Sequence, residues 1–331
     1  MENTKELLLS VKDLSVEYTS NKRRIYAVNN VSFNLYRGET LGLVGETGAG
    51  KTTIAKAILG ILPDPPAKIT GGQVEFEGKN LRQYTAEEMR RIRGGRISMI
   101  FQDPMTALNP NMRVGDQVAE AFKWHTDYSK QEIYEKTVEI LKMVGISEDR
   151  YREYPHQFSG GMKQRVIIAI ALACGPDLIL ADEPTTALDV TIQAQILSMI
   201  DELKVQKNAA MILITHDLGV VAGKCDKVAV TYAGQIVEYG TLEEIYDHTA
   251  HPYTQGLFSA LPEMNENSSR LSPIRGLPPD PARLPDGCKF HPRCPYATEA
   301  CTHGDVPSVN LDGTHTCLCL RAEELRKKRE E

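Results

Sequence analysis

The chain has 331 residues, 41% apolar and 25% charged, and 38 basic against 44 acidic side chains leave a net charge of −6. Such a balance fits a globular protein of one or two domains and gives no electrostatic case for a nucleic-acid partner. The longest aliphatic run, "VIIAIALAC" over 166–174, falls well short of the roughly 20 residues that cross a bilayer. The opening "MENTKELLLSVKDL" has no basic region followed by an apolar stretch and a cleavage site, so the reading is of a cytosolic chain in which structural disulfides are rare.

In chain order, "LLLSVKDLSVEY" (7–18) and "VSFNLY" (31–36) alternate with period two and predict half-exposed strands. "TLGLVG" (40–45) is continuously apolar and leads into "KTTIAKAILGIL", as a buried parallel strand followed by a helix does. A polar, helix-rich insert spans about 104–158. Within it Ser129 and Glu132 form a capping box, Tyr134, Val138 and Leu141 make an apolar stripe, and Gly145 ends the helix. "DLILAD" (177–182) and "MILIT" (211–215) repeat the buried-strand pattern, separated by the helical "TIQAQILSMIDELKVQ". "KVAVTYAGQIVEYG" predicts a hairpin about Ala233-Gly234, and Thr241 with Glu244 caps a short helix. The fold class is therefore α/β, a parallel sheet with helices on both faces, carrying an antiparallel β subdomain and a helical subdomain. The predicted division is a body over 1–248 and a loop-rich extension over 249–331, which holds ten of the eighteen prolines.

"GETGAGKT" (45–52) stands where a phosphate-binding loop is required, after a buried strand and opening a helix. Gly45, Gly48 and Gly50 let the backbone curl so that N–H groups point inward, and the helix start adds partial positive charge. Lys51 is expected on the β- and γ-phosphates and the Thr52 hydroxyl on Mg²⁺, with Thr47 and Thr53 completing the nucleotide contacts. "LILADE" offers Asp182 to hold Mg²⁺ and Glu183 to polarise water, against the bland reading of a solvated acidic pair. His216 and Gln102 also follow buried strands, and the carboxyl ends of such strands are where an open parallel sheet binds ligands. Gln102 joins Thr52 and Asp182 as a candidate Mg²⁺ ligand. "FSGGMKQR" (158–165) opens another helix with Ser159, Gly160 and Gly161, a second anion site that is idle unless it faces a nucleotide held by another chain.

Residues 7–245 resemble the ATP-binding-cassette (ABC) ATPases. The resemblance implies that Ser159, Gly160 and Gly161 cap the ATP of a partner cassette. It implies that Gln102 senses Mg²⁺ and the membrane partner, Asp189 links the two ATPase sites, and His216 meets the γ-phosphate. Tyr18 is the residue implied to stack on adenine, with Tyr26 its rival. Phe158 and Met162 depart from the usual Leu and Gln of the signature, which leaves a weaker or partner-specific site open. The function implied is ATP hydrolysis that drives a membrane transporter. A soluble cassette ATPase is the alternative, disfavoured by the missing heptads, and a non-hydrolysing sensor is disfavoured by Glu183 and His216.

The order "HPYTQGLFSALP", "SPIRGLPPDPARLPDG" and "GCKFHPRCPYA" resembles the C-terminal extension of the ATPase subunits of bacterial oligopeptide and dipeptide importers, a group that includes nickel and opine transporters. The implied partners are a second cassette (a copy or a paralogue), two permeases and an extracytoplasmic solute-binding protein, at the cytoplasmic face of the membrane. Five of seven cysteines lie here, at Cys288, Cys294, Cys301, Cys317 and Cys319. Their wide gaps suit an iron–sulfur cluster better than a tight-pair zinc site, and the resemblance also points to a [4Fe–4S] centre. The expected ligands are Cys288, Cys294, Cys301 and Cys317, with Cys319 spare. Zinc, with His291, His303 or His315 substituting for a thiolate, and loose thiols are the alternatives. A metal crosslink in place of a core is the expected role.

Overall fold

The computed structural model describes residues 6–20, 23–185, 190–260 and 274–330. In chain order the elements begin with β1 (Leu7–Ser20), β2 (Arg23–Tyr36), β3 (Thr40–Val44), α1 (Lys51–Leu59), β4 (Ala67–Phe76), β5 (Lys79–Asn80), α2 (Ala86–Ile92) and β6 (Ile97–Ile100). Next come α3 (Pro104–Ala107), α4 (Val114–His125), α5 (Lys130–Met143), α6 (Gly160–Leu172), β7 (Leu178–Asp182), α7 (Val190–Lys207), β8 (Ala210–Thr215) and α8 (Leu218–Lys224). The chain closes with β9 (Lys227–Tyr232), β10 (Gln235–Thr241), α9 (Leu242–Asp247), α10 (Pro252–Ser259), β11 (Val309–Asp312), β12 (His315–Cys317) and α11 (Ala322–Glu330). These elements form two compact units.

The first unit holds Leu35–Glu39, Phe76–Ile214 and the chain up to Leu9. Its sheet pairs β6 with β7 and β7 with β8, both parallel, in the register Ile97↔Leu178 and Leu178↔Ala210. Every residue of these three strands is buried, which is why their sequences are unbroken apolar runs rather than alternating ones. Arg37 and Arg96 share Asp177 and Glu77 at the start of β7. The helical insert is α3, α4 and α5 with short 3-10 turns. The capping box at Ser129 and Glu132 forms as the sequence predicts. One position of the predicted stripe is corrected: Tyr134 is 40% exposed and donates to Glu148, while Ile133, Val138 and Leu141 are buried. Its hydroxyl, together with a tilted ring contact to Tyr151 at 5.1 Å, makes the exposed face the better place for the ring.

The second unit holds Ser10–Asn34, Thr40–Glu75 and Thr215–Glu331. Here β3 pairs in parallel with β9. β9 and β10 make an antiparallel hairpin, turned by Ala233 and Gly234 at φ 48° and 77°. β12 then adds to β10 with Glu238 opposite Cys317, and β11 adds to β12. β2, β1 and β4 are neighbours in a separate sheet.

The C-terminal extension packs a core with residues of β9 and β10. Cys317, Ala250 and Ala322 are buried together, with Leu311 and Cys319 packed on them. Tyr232, Tyr253 and Phe290 form an aromatic cluster with ring centroids 4.6–5.5 Å apart. The fully buried Glu238 accepts the amides of Ala250 (2.6 Å) and His251 (3.1 Å) and meets His315 Nε2 at 2.9 Å. A polar group so buried needs such a set of donors. These contacts replace the metal crosslink expected from the sequence.

Candidate functional site

Within the second unit the loop between β3 and α1 curls as expected. Gly45, Gly48 and Gly50 all have positive φ, at 148°, 82° and 98°. At Gly45 a Cβ would lie 2.1 Å from the Thr231 carbonyl oxygen, and at Gly50 2.3 Å from that of Ala27, so neither position admits a side chain. Gly50 is the N-cap of α1 and offers no capping side chain, and the first turn carries no acid, so the positive end of the helix is available to an anion. Lys51 is 7% exposed, and its Nζ donates to the carbonyls of Gly45 (2.7 Å) and Glu46 (3.0 Å). Tyr18 reaches this loop, its hydroxyl 3.5 Å from Thr53 Oγ1. Tyr26 instead gives its backbone N–H to Pro281 of the extension. His216 is exposed just before Asp217, which caps α8 through the amide of Val220.

Within the first unit Asp182 ends β7 and is 3% exposed. Glu183 follows at φ 46°, a left-handed conformation unusual for a side chain of its size, and its N–H bonds to Ile214 O. Its carboxylate accepts the side-chain amide of Gln102 at 2.8 Å. The strand ends thus bring Gln102 and Glu183 together, while Gln164, buried in α6, donates to Pro184 O directly behind them. Ser159 caps α6 by accepting the amide of Met162 at 3.4 Å. Ser159 and Gly160 are exposed, and space is open beside Gly160. Asp189 lies outside the described residues.

A family model described as ABC transporter matches residues 28–186, and one described as Oligopeptide/dipeptide transporter, C-terminal region, matches 237–301. The chain is 48% identical over 316 residues to the dipeptide transport ATP-binding protein DppD of Bacillus subtilis, covering 95% of this chain and 94% of that one. It is 49% identical to the oligopeptide transport ATP-binding protein OppD of Salmonella typhimurium, covering 96% and 95%. The chain belongs to the ATP-binding proteins of the ABC oligopeptide/dipeptide transporter family. Among solved structures, a dimeric ATP-binding cassette in a post-hydrolysis state bound to ADP and Pi superposes with a TM-score of 0.64 at 29% identity, covering 71% of this chain and 99% of that one.

The two departures in this cassette's signature have a structural partner that sequence reasoning missed. Arg150 lies over the Phe158 ring, 4.6 Å from its centroid, and its Nη1 sits 3.2 Å from Met162 Sδ. The same guanidinium donates to the Gln157 carbonyl and to Glu153. Phe158 and Met162 therefore serve as a seat for Arg150 at the start of α6. The signal was the basic residue eight positions ahead of an aromatic, too generic to read alone.

The cysteines do not form the expected ligand quartet. Cys317 is wholly buried with Ala250 and Ala322, and burial pushes its thiol well above the usual range. An apolar cavity is lined instead by Cys288, Cys294, Cys301 and Cys319 with Phe290 and Leu325. Burial raises the thiols of Cys288 and Cys294 and pushes Cys319 up to about 11. Among the described residues no three His, Cys, Asp or Glu side chains are placed to hold a metal ion. The predicted quartet is thus not assembled, and neither a [4Fe–4S] cluster nor zinc fits the arrangement.

Proposed function

We propose that this chain is the ATP-hydrolysing subunit of an importer for dipeptides or oligopeptides. The observation that carries this reading is the loop at Gly45–Thr52, whose backbone excludes side chains at two glycines and opens an uncapped helix start beneath Lys51. The relatives named for dipeptide and oligopeptide transport, together with the match over 237–301, favour a peptide over nickel or opines as the solute. No helix among the described residues is long and apolar enough to cross a membrane. By its kinship with the dipeptide and oligopeptide transport ATP-binding proteins, the subunit works with two permeases, a second cassette and a solute-binding protein, attached at the cytoplasmic face.

Lys51 and the amides of Gly48–Thr52 bind the β- and γ-phosphates, with Thr47 and Thr53 beside them and Tyr18 on the adenine. Thr52, Gln102 and Asp182 supply the oxygen ligands suited to Mg²⁺. That ion, when bound, neutralises charge on the phosphate oxygens. Glu183 accepts the proton of the attacking water and Gln102 fixes its carboxylate. His216 donates to the γ-phosphate, and Ser159, Gly160 and Gly161 close over the ATP of the partner cassette. Fixed donors aimed at developing charge supply most of the rate gain. The Glu183→Gln variant tests this: ATP binding stays near the parent value while turnover falls on the order of a hundredfold or more. Turnover within a few-fold of the parent removes Glu183 from the role.

A further inference from the structure

The carboxylate of Glu46, second residue of the phosphate loop, is held by Arg293 of the C-terminal extension. The pair is bidentate, with Nη1 to Oε2 at 2.9 Å and Nη2 to Oε1 at 3.0 Å, across 247 positions of sequence. The Arg293 side chain is 6% exposed and that of Glu46 27%. Arg293 is itself fixed by Tyr232 Oη at 3.3 Å and by the Arg275 carbonyl at 3.1 Å, and it lies beside the rings of Tyr232 and Phe290. A second contact reaches the same loop residue: the Glu46 N–H donates to Tyr253 Oη at 2.9 Å. Tyr253 is 0% exposed, wedged between Tyr232 and Phe290.

We propose that Arg293 and Tyr253 are positioning residues of the nucleotide loop, through which the extension holds Glu46 by both carboxylate and amide and keeps its negative charge paired. This rests on the reading of Gly45–Thr52 as the ATP site. A carboxylate inside a loop that receives a triphosphate is a like charge, and its repulsion is suppressed only while a cation is bound to it. The bidentate fork sets the direction of the Glu46 side chain as well as neutralising it. The aromatic cluster places both Arg293 and Tyr253, so the core of the extension is in mechanical contact with the loop.

The test is MgATP and MgADP binding and steady-state hydrolysis by the full chain, with the thermal midpoint recorded for each variant. Arg293→Ala is expected to raise the Kd and KM for ATP about tenfold, with ADP affected less and kcat at saturation little changed. Glu46→Gln combined with Arg293→Ala is expected to recover most of that affinity, because no carboxylate is left to neutralise, and Arg293→Lys to retain part of it. Tyr253→Phe keeps the ring and its contacts, does not depend on Arg293→Ala folding, and is expected to weaken ATP binding several-fold. Parent-like ATP affinity in either Arg293→Ala or Tyr253→Phe overturns the proposal. So does a double variant as weak as Arg293→Ala alone, since that marks lost packing rather than unpaired charge. Lys51→Ala is run alongside. If it leaves ATP binding untouched, the reading of the loop fails separately from the brace.

Discussion

The side-chain amide of Gln102 donates to Glu183 Oε2 at 2.8 Å, although the two residues are 81 positions apart. Glu183 sits in a left-handed conformation with its amide bonded to Ile214 O, and Gln102 helps fix the direction of its carboxylate. Gln102→Ala is expected to lower kcat about tenfold, the worth of one hydrogen bond to a charged group, with less change in the KM for ATP. Adding Glu183→Gln makes the two losses non-additive, because both act on one carboxylate. Steady-state ATPase assays of the single and double variants check this.

Arg150 ties four groups at the start of α6: the Phe158 ring, Met162 Sδ, the Gln157 carbonyl and Glu153. Arg150→Ala loosens the turn that presents Ser159. The expected outcome is a fall in the thermal midpoint of about 2–4 °C and a larger relative loss of ATPase activity, since Ser159 is the residue proposed to close over a partner's nucleotide. Arg150→Lys recovers little, because an ammonium cannot form the same fork.

Glu238 is a fully buried carboxyl group with three donors around it. Glu238→Ala leaves the amides of Ala250 and His251 and the ring of His315 without their shared acceptor, for a cost of about 3–5 kcal/mol. Thermal denaturation reports the loss. Limited proteolysis is expected to cleave within 241–260 in the variant and not in the parent.

Stability also carries an acid limb set by His251. Burial holds this imidazole neutral and depresses its pKa from 6.5 to about 4, and Nδ1 accepts the amide of Tyr253 at 3.1 Å. The unfolded chain therefore binds more protons than the folded one between these values. Stability rises with pH across that window and falls as pH drops from about 6.5 toward 4, by up to about 3 kcal/mol. Urea denaturation at stepped pH measures it. His251→Asn, which keeps an acceptor at the helix cap, is expected to flatten the limb.

Much of this was legible in the sequence because it is local. "TLGLVG" and "DLILAD" are buried parallel strands, and their unbroken apolar character announced it. The Ala233-Gly234 turn and the capping boxes at Ser129 and Thr241 follow from two or four residues each. Gly45 and Gly50 were readable as glycines of a phosphate loop, though not as positions closed by the carbonyls of Thr231 and Ala27. What was not legible was long-range pairing. Arg293 looks like any surface arginine in "HPRCP", and nothing near it points to Glu46. The cysteines misled for the same reason. Spacing along the chain picked Cys317, but its strand turns that side chain into the core and leaves Cys319 on the cavity.

The addition of β12 to β10 has a bearing on how this protein can be shortened. The paired residues Glu238↔Cys317 and Tyr239↔Thr316 cover a strand whose other flank is already joined to β9. A truncation at Thr241 would bare that flank as an unpaired rim of amides and carbonyls, a template for strand addition from a neighbouring molecule. The 90 residues after Thr241 thus guard the molecule against self-association, and shortened forms are expected to precipitate.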